Sequence, residues 1–137
     1  SVDFFERESH GIHSLGTHNK GTVVSKAQVT STTLDEFCAE YGIRKIGLLK
    51  VDVEGFETEV FEGAKRLLDQ KAIDAIVFEF SPKIHRARKM DIHAPIRTLQ
   101  ASNYSVYRTS GEEVSENDLC NLSLCDLYAF PSSRVLI

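Results

Sequence analysis

Asp52 and Glu54 close the apolar run LLKVDVEG, and Glu57, Glu59 and Glu62 follow them directly. A carboxylate at the end of a buried strand can orient a hydroxyl, take its proton or hold a cation. AIVFEFSP repeats the pattern: Glu79 and Ser81 end a second apolar run, and His85 lies four residues further on. In open α/β sheets, ligands bind beyond the carboxyl ends of the strands. Asp52 and Glu54 are therefore the catalytic candidates, and Glu79, Ser81 and His85 the candidates for holding a substrate. A plainer role competes, because an acid in the first turn of a helix stabilises it by about 0.3–1 kcal/mol. Capping accounts for one of the two acids, but not for Asp52, which still belongs to the strand.

Two other clusters carry possible chemistry. His10, His13 and His18 share the glycine-bearing stretch HGIHSLGTH. Three imidazoles can bind zinc, although this spacing matches no structural-zinc pattern and no cysteine is near. The same stretch can instead line an acceptor pocket, which makes His13 a substrate-binding candidate. KIHRARK, Lys83 to Lys89, suits a phosphate or an acidic sugar, or equally a solvated loop. His85 and His93 fit surface positions there.

These residues need a frame. VDFFE and VVSKAQVT read as strands joined by a long loop, a hairpin lead-in over residues 1–31. Thr33 and Glu36 have capping-box spacing, Leu34, Phe37 and Tyr41 share a helical face, and Gly42 suits the exit. Lys45 to Asp52 reads as a strand buried on both faces, as in a parallel sheet. A single helix is expected from Gly55 to Asp69, with Phe56, Val60, Ala64, Leu67 and Leu68 inward. Ala75 to Phe80 is the next buried strand, followed by a loop containing Pro82 and a helix from Pro95 to Ala101. Tyr104 to Arg108 and Leu124 to Phe130 lack a helix between them and suggest an antiparallel pair at a sheet edge. Most phenylalanines belong to the core, and Tyr104, Tyr107 and Tyr128 suit edge strands with wet hydroxyls.

The chain has 137 residues and a formal net charge of -4, which argues against a general nucleic-acid binder. No apolar run approaches the roughly 20 residues that span a bilayer, so no membrane partner is expected. Three cysteines, an odd number, fit a reducing, cytoplasmic compartment.

TLDEF, then IGLLKVDVEGFETEVFEGAKRLL, then AIVFEFSP together resemble the FkbM-type family of S-adenosylmethionine-dependent methyltransferases, almost without a break from Thr33 to Ala64. The resemblance implies the C-terminal half of a class I, Rossmann-like sheet, mostly parallel with an antiparallel strand near one edge, over residues 32–137. It implies methyl transfer to a hydroxyl of a sugar or natural product, with Asp52 and Glu54 at the pocket rim. The family's glycine-rich loop for S-adenosylmethionine has no counterpart here, so the cofactor-binding half is expected to be missing and cofactor residues are not assigned. Two alternatives follow: a non-catalytic interaction module derived from a truncated methyltransferase, or a metal-dependent hydrolase using Asp52, Glu54 and the loop histidines. The cut sheet would expose the edge of the Lys45–Asp52 strand, and homodimerisation there is expected.

Overall fold

The computed structural model describes residues 2–7 and 23–133, which fall into two units divided between Thr32 and Thr33. In the first unit, β1 (Val2–Arg7) and β2 (Val23–Val29) pair antiparallel with Val2 opposite Val29, and the register shifts between Glu6 and Arg7. His10, His13 and His18 lie outside the described residues, as does every expectation placed on them.

The second unit opens with α1 (Leu34–Glu40), started by a complete capping box. The Glu36 amide donates to Thr33 Oγ1 at 3.1 Å, and the Thr33 amide to Glu36 Oε2 at 3.2 Å. The expected core face of this helix needs correction. Cys38 is its buried residue, whereas Phe37 and Tyr41 are exposed and lie against each other with ring centroids 4.7 Å apart.

β3 (Leu49–Val51) pairs in parallel with β4 (Ile76–Phe80), Leu49 opposite Ile76. The expected strand from Lys45 to Asp52 is thus much shorter, continued only by an isolated bridge between Ile46 and Ile73. It is not buried on both faces either: β3 is an outer strand of its sheet, and Leu48 and Lys50 are exposed. β6 (Cys125–Pro131) lies between β4 and β5 (Tyr104–Arg108) and runs antiparallel to both, giving the order β3-β4-β6-β5. Alternation along the strands sorts the residues. Ile76, Phe78, Phe80, Leu127, Ala129, Tyr104 and Val106 are buried, while Val77, Glu79, Tyr128, Phe130 and Tyr107 are only half-buried.

The single helix expected from Gly55 to Asp69 is two helices, α2 (Glu57–Glu62) and α3 (Lys65–Asp69). Asp35 explains the break. Its amide donates to the Gly63 carbonyl at 2.9 Å, which serves the end of α2. Its carboxylate then accepts from the amides of Arg66 at 2.7 Å and Leu67 at 3.1 Å, which serves the start of α3. One residue of TLDEF thereby satisfies orphan groups of two other helices. The expected loop at Pro82 is also a helix, α4 (Pro82–Ala87), capped by Ser81, with proline at a first-turn position where its missing N–H costs nothing. α5 (Ala94–Ala101) packs against α2 and β5. Phe61 meets Phe78 edge-on at 5.3 Å in the core. Tyr104, expected to be wet, is buried, and its hydroxyl donates to the Ile73 carbonyl at 2.7 Å.

Candidate functional site

The chain leaves β3 through Asp52, turns at Glu54 and Gly55, and enters α2 at Glu57. Asp52 lies one residue past the strand, its side chain 48% exposed, with Oδ2 3.0 Å from the Lys50 ammonium. Glu54 is half-buried and has φ +48°, a left-handed conformation uncommon in a non-glycine residue; Gly55 follows at φ +95°. Two consecutive left-handed residues reverse the chain abruptly, and the second must be glycine for want of space. A Cβ on Gly55 would stand 3.0 Å from Ile84 Cγ2 and 3.3 Å from Arg88 Cδ.

α4 therefore backs this turn, and its polar groups fasten it. Arg88 donates Nη1–H to the Glu54 carbonyl at 3.0 Å, and its guanidinium lies 3.4 Å from the centroid of the Phe56 ring. That stacking keeps the charge over an electron-rich face. The Gly55 amide donates to Glu57 Oε1 at 2.9 Å. The other carboxylate oxygen of Glu57 is 3.1 Å from His85 Nε2, and both side chains are almost wholly buried. His85 Nδ1 is 3.0 Å from the Ser81 carbonyl. Burial works against charge on this ring, but the Glu57 carboxylate and the Ser81 carbonyl outweigh it, and the pKa of His85 is raised. The histidine expected at the surface is thus an interior one.

Glu79, on β4, stands directly opposite Asp126 on β6. Burial raises its pKa, and the charges of Asp52, Asp126 and Glu54 raise it further. Like charges facing each other across two strands are unfavourable. Ser81 is nearly buried, and its hydroxyl is engaged with the Ile84 amide at 3.4 Å as the cap of α4.

The structure thus brings Asp52, Glu54 and Glu79 within electrostatic reach of one another and turns Ser81 and His85 to the support behind them. Sequence reasoning missed Glu57, Arg88 and Asp126. Glu57 had a readable signal: it lies four residues before Phe61 and seven before Ala64, so a helical period puts its charge on the apolar stripe. A buried charge requires a partner. Among the described residues, no group of three or more His, Cys, Asp or Glu could hold a metal ion.

A mixed sheet with helical crossovers, an antiparallel strand one place in from its edge and acids where the parallel strands end is compatible with part of a Rossmann-like methyltransferase. The family model described as "Methyltransferase FkbM domain" matches residues 2–106, and the chain belongs to that family. No curated protein and no solved structure matches the chain.

Proposed function

We propose that this chain forms the acceptor side of an S-adenosylmethionine-dependent O-methyltransferase acting on a hydroxyl of a small molecule or glycan. The observation that supports it most is the placement of Glu79. Its carboxyl is raised by burial and by Asp52, Asp126 and Glu54, at the strand ends where such sheets bind ligands. A hydroxyl nucleophile must lose its proton, and a carboxylate with raised pKa is a better proton acceptor than an ordinary one. Asp52, exposed past β3, orients the hydroxyl or takes its proton, with Glu54 beside it and Glu79 behind. Ser81 and His85 support this wall from inside.

The donor brings an electrophilic methyl group on a sulfonium cation. The described residues do not fit it. The glycine that follows β3 is filled in by Ile84 and Arg88, and the remaining described glycines, Gly42, Gly47, Gly63 and Gly111, open no strand-to-helix cradle. No step is assigned to the donor on these residues.

The test is a calorimetric titration of S-adenosylmethionine on this chain beside a longer chain carrying a glycine-rich strand–turn–helix. Heat and turnover are expected from the longer chain, and loss of turnover in its Asp52→Asn variant. Undiminished turnover in that variant removes Asp52 from the chemistry. A longer chain that binds no donor favours the interaction module.

A further inference from the structure

The Glu57–His85 contact is buried and lies directly behind the β3–α2 turn. Both ring nitrogens of His85 face acceptor oxygens, the Ser81 carbonyl and the Glu57 carboxylate. A neutral imidazole carries one N–H and cannot serve both. With that proton given to Ser81, a lone pair on Nε2 would confront a carboxylate oxygen 3.1 Å away. The contact is also off-line for a hydrogen bond, and neither Glu57 Oε2 nor His85 Nε2 has another partner. In either neutral tautomer one of the two acceptors is left facing a lone pair, so the protonated ring is the form that serves both.

Glu57 links that proton to the turn. Its second oxygen receives the Gly55 amide. Ile84 and Arg88, on either side of His85 in sequence, close over Gly55, and Arg88 holds the Glu54 carbonyl. The groups acting on His85 are Glu57 from α2, the Ser81 carbonyl at the end of β4, and Arg88, whose charge opposes a second positive charge. The Phe80 ring, 5.2 Å away, adds no charge.

We propose that Glu57 and His85 are positioning residues, whose shared proton braces the Glu54–Gly55 turn in the shape that presents Asp52 and Glu54 at the end of β3. This deepens the acceptor-site proposal and rests on it for its purpose, though not for its physics. Removing the proton leaves the lone pair against the carboxylate, and the turn loses the support that fixes two left-handed residues. A charge-assisted contact corresponds to about ten- to a hundredfold in an opening equilibrium. Glu57→Gln separates charge from shape. The amide oxygen can still accept from Gly55, and the amide NH2 can donate to a neutral His85, so every polar atom is served without an added proton.

The test follows amide exchange at Gly55, the ring signals of His85 and the amide shifts of 52–56 by NMR from pH 5 to pH 9 (about the histidine range). In the wild-type chain, His85 is expected to titrate above the ordinary histidine value, with Gly55 protection falling about tenfold or more along the same curve. In Glu57→Gln, protection stays flat. A Gly55 protection factor unchanged across the His85 titration overturns the proposal, as does an Glu57→Gln chain that keeps the wild-type step. The wild-type curve decides alone if the variant does not fold. In a chain that turns over, the alkaline fall in rate should vanish in Glu57→Gln with KM little changed. No turnover in either chain would count against the acceptor-site proposal, while the NMR curves decide the brace.

Discussion

Gly55→Ala probes the packing of α4 against the turn more sharply than any other substitution. Two penalties apply to one methyl group. Residue 55 has φ +95°, and holding an L-residue in such a region costs about 1–3 kcal/mol. The new Cβ would also meet Ile84 Cγ2 at 3.0 Å and Arg88 Cδ at 3.3 Å, and overpacking of this kind costs about 1–3 kcal/mol. Arg88 can swing away, but the isoleucine is stiff at χ1 and its helix is tied down by the buried His85. A total near 4 kcal/mol is a large share of the roughly 5–15 kcal/mol that stabilises a typical domain. In urea denaturation, with a slope of about 1–3 kcal/mol per molar, the midpoint should fall by about 1.3 M or more. Gly111→Ala is the internal control: its φ is +85°, yet nothing lies within 4 Å of the added Cβ. It should show the backbone penalty alone. If Gly55→Ala costs no more than Gly111→Ala, α4 does not press on the turn and the support argued for Asp52 and Glu54 fails.

Asp35→Ala removes the acceptor of two backbone amides at the start of α3, and thermal unfolding should show a loss of about 1–2 kcal/mol, in the range of a lost helix cap. Tyr104→Phe withdraws a hydroxyl from the Ile73 carbonyl deep in the core; denaturant unfolding should register about 1–2 kcal/mol, and an unchanged midpoint would mean the carbonyl finds another donor. Leu48, 62% exposed beside the outer strand β3, tests the expected pairing with a second copy of the chain: light scattering should show a dimer that Leu48→Lys dissociates, and a strict monomer at high concentration refutes it. Glu79→Gln should stabilise the chain at neutral pH. A carboxyl whose folded pKa is raised contributes stability below the ordinary glutamate value of about 4.3 and loses it as pH rises through the folded value, so the gain from glutamine must shrink to nothing in acid. A gain that persists at pH 3 (about a unit below that value) would assign the effect to something other than charge.

Local signals in the sequence located most elements, and the misreadings share a physical origin. The capping box at Thr33, the glycine exit at Gly42 and the strand Tyr104–Arg108 depend on neighbours in sequence and were legible there. The break between α2 and α3 was not, because the groups that cap both helix ends come from Asp35, about thirty residues away in the chain. Phe37 and Tyr41 satisfied the helical period of a core face, but the period cannot tell a buried stripe from an exposed one. Lys45 to Asp52 looked buried on both sides because apolar content was read as burial, whereas position in the sheet decides it. At the site, the acids at the strand ends were legible as positions; that His85 would turn inward to Glu57 required knowing that Pro82 starts a helix.

The distribution of strain in this chain is itself informative. Much of the second unit follows local rules: alternating strands, side-chain caps on α1 and α4, a tyrosine hydroxyl that finds its carbonyl. Several departures meet around the end of β3, although Lys71, Lys89 and Asn103 are left-handed elsewhere in the unit. Glu54 is left-handed without being glycine, Glu79 faces a like charge across the sheet, and a histidine and a glutamate lie buried a few residues from both. Each lowers stability in isolation, and a stability-optimal sequence would relax them with Gly, Gln and a pair of apolar side chains. Local departures that the surrounding structure is built to enforce are characteristic of sites that act on something else. Here the enforcement is visible in Arg88, Ile84 and the Glu57–His85 contact, all directed at the same two-residue turn. The acids past β3 therefore differ in setting from ordinary first-turn glutamates: a helix cap needs no brace, whereas the proposed role, meeting a hydroxyl at a fixed distance, requires one.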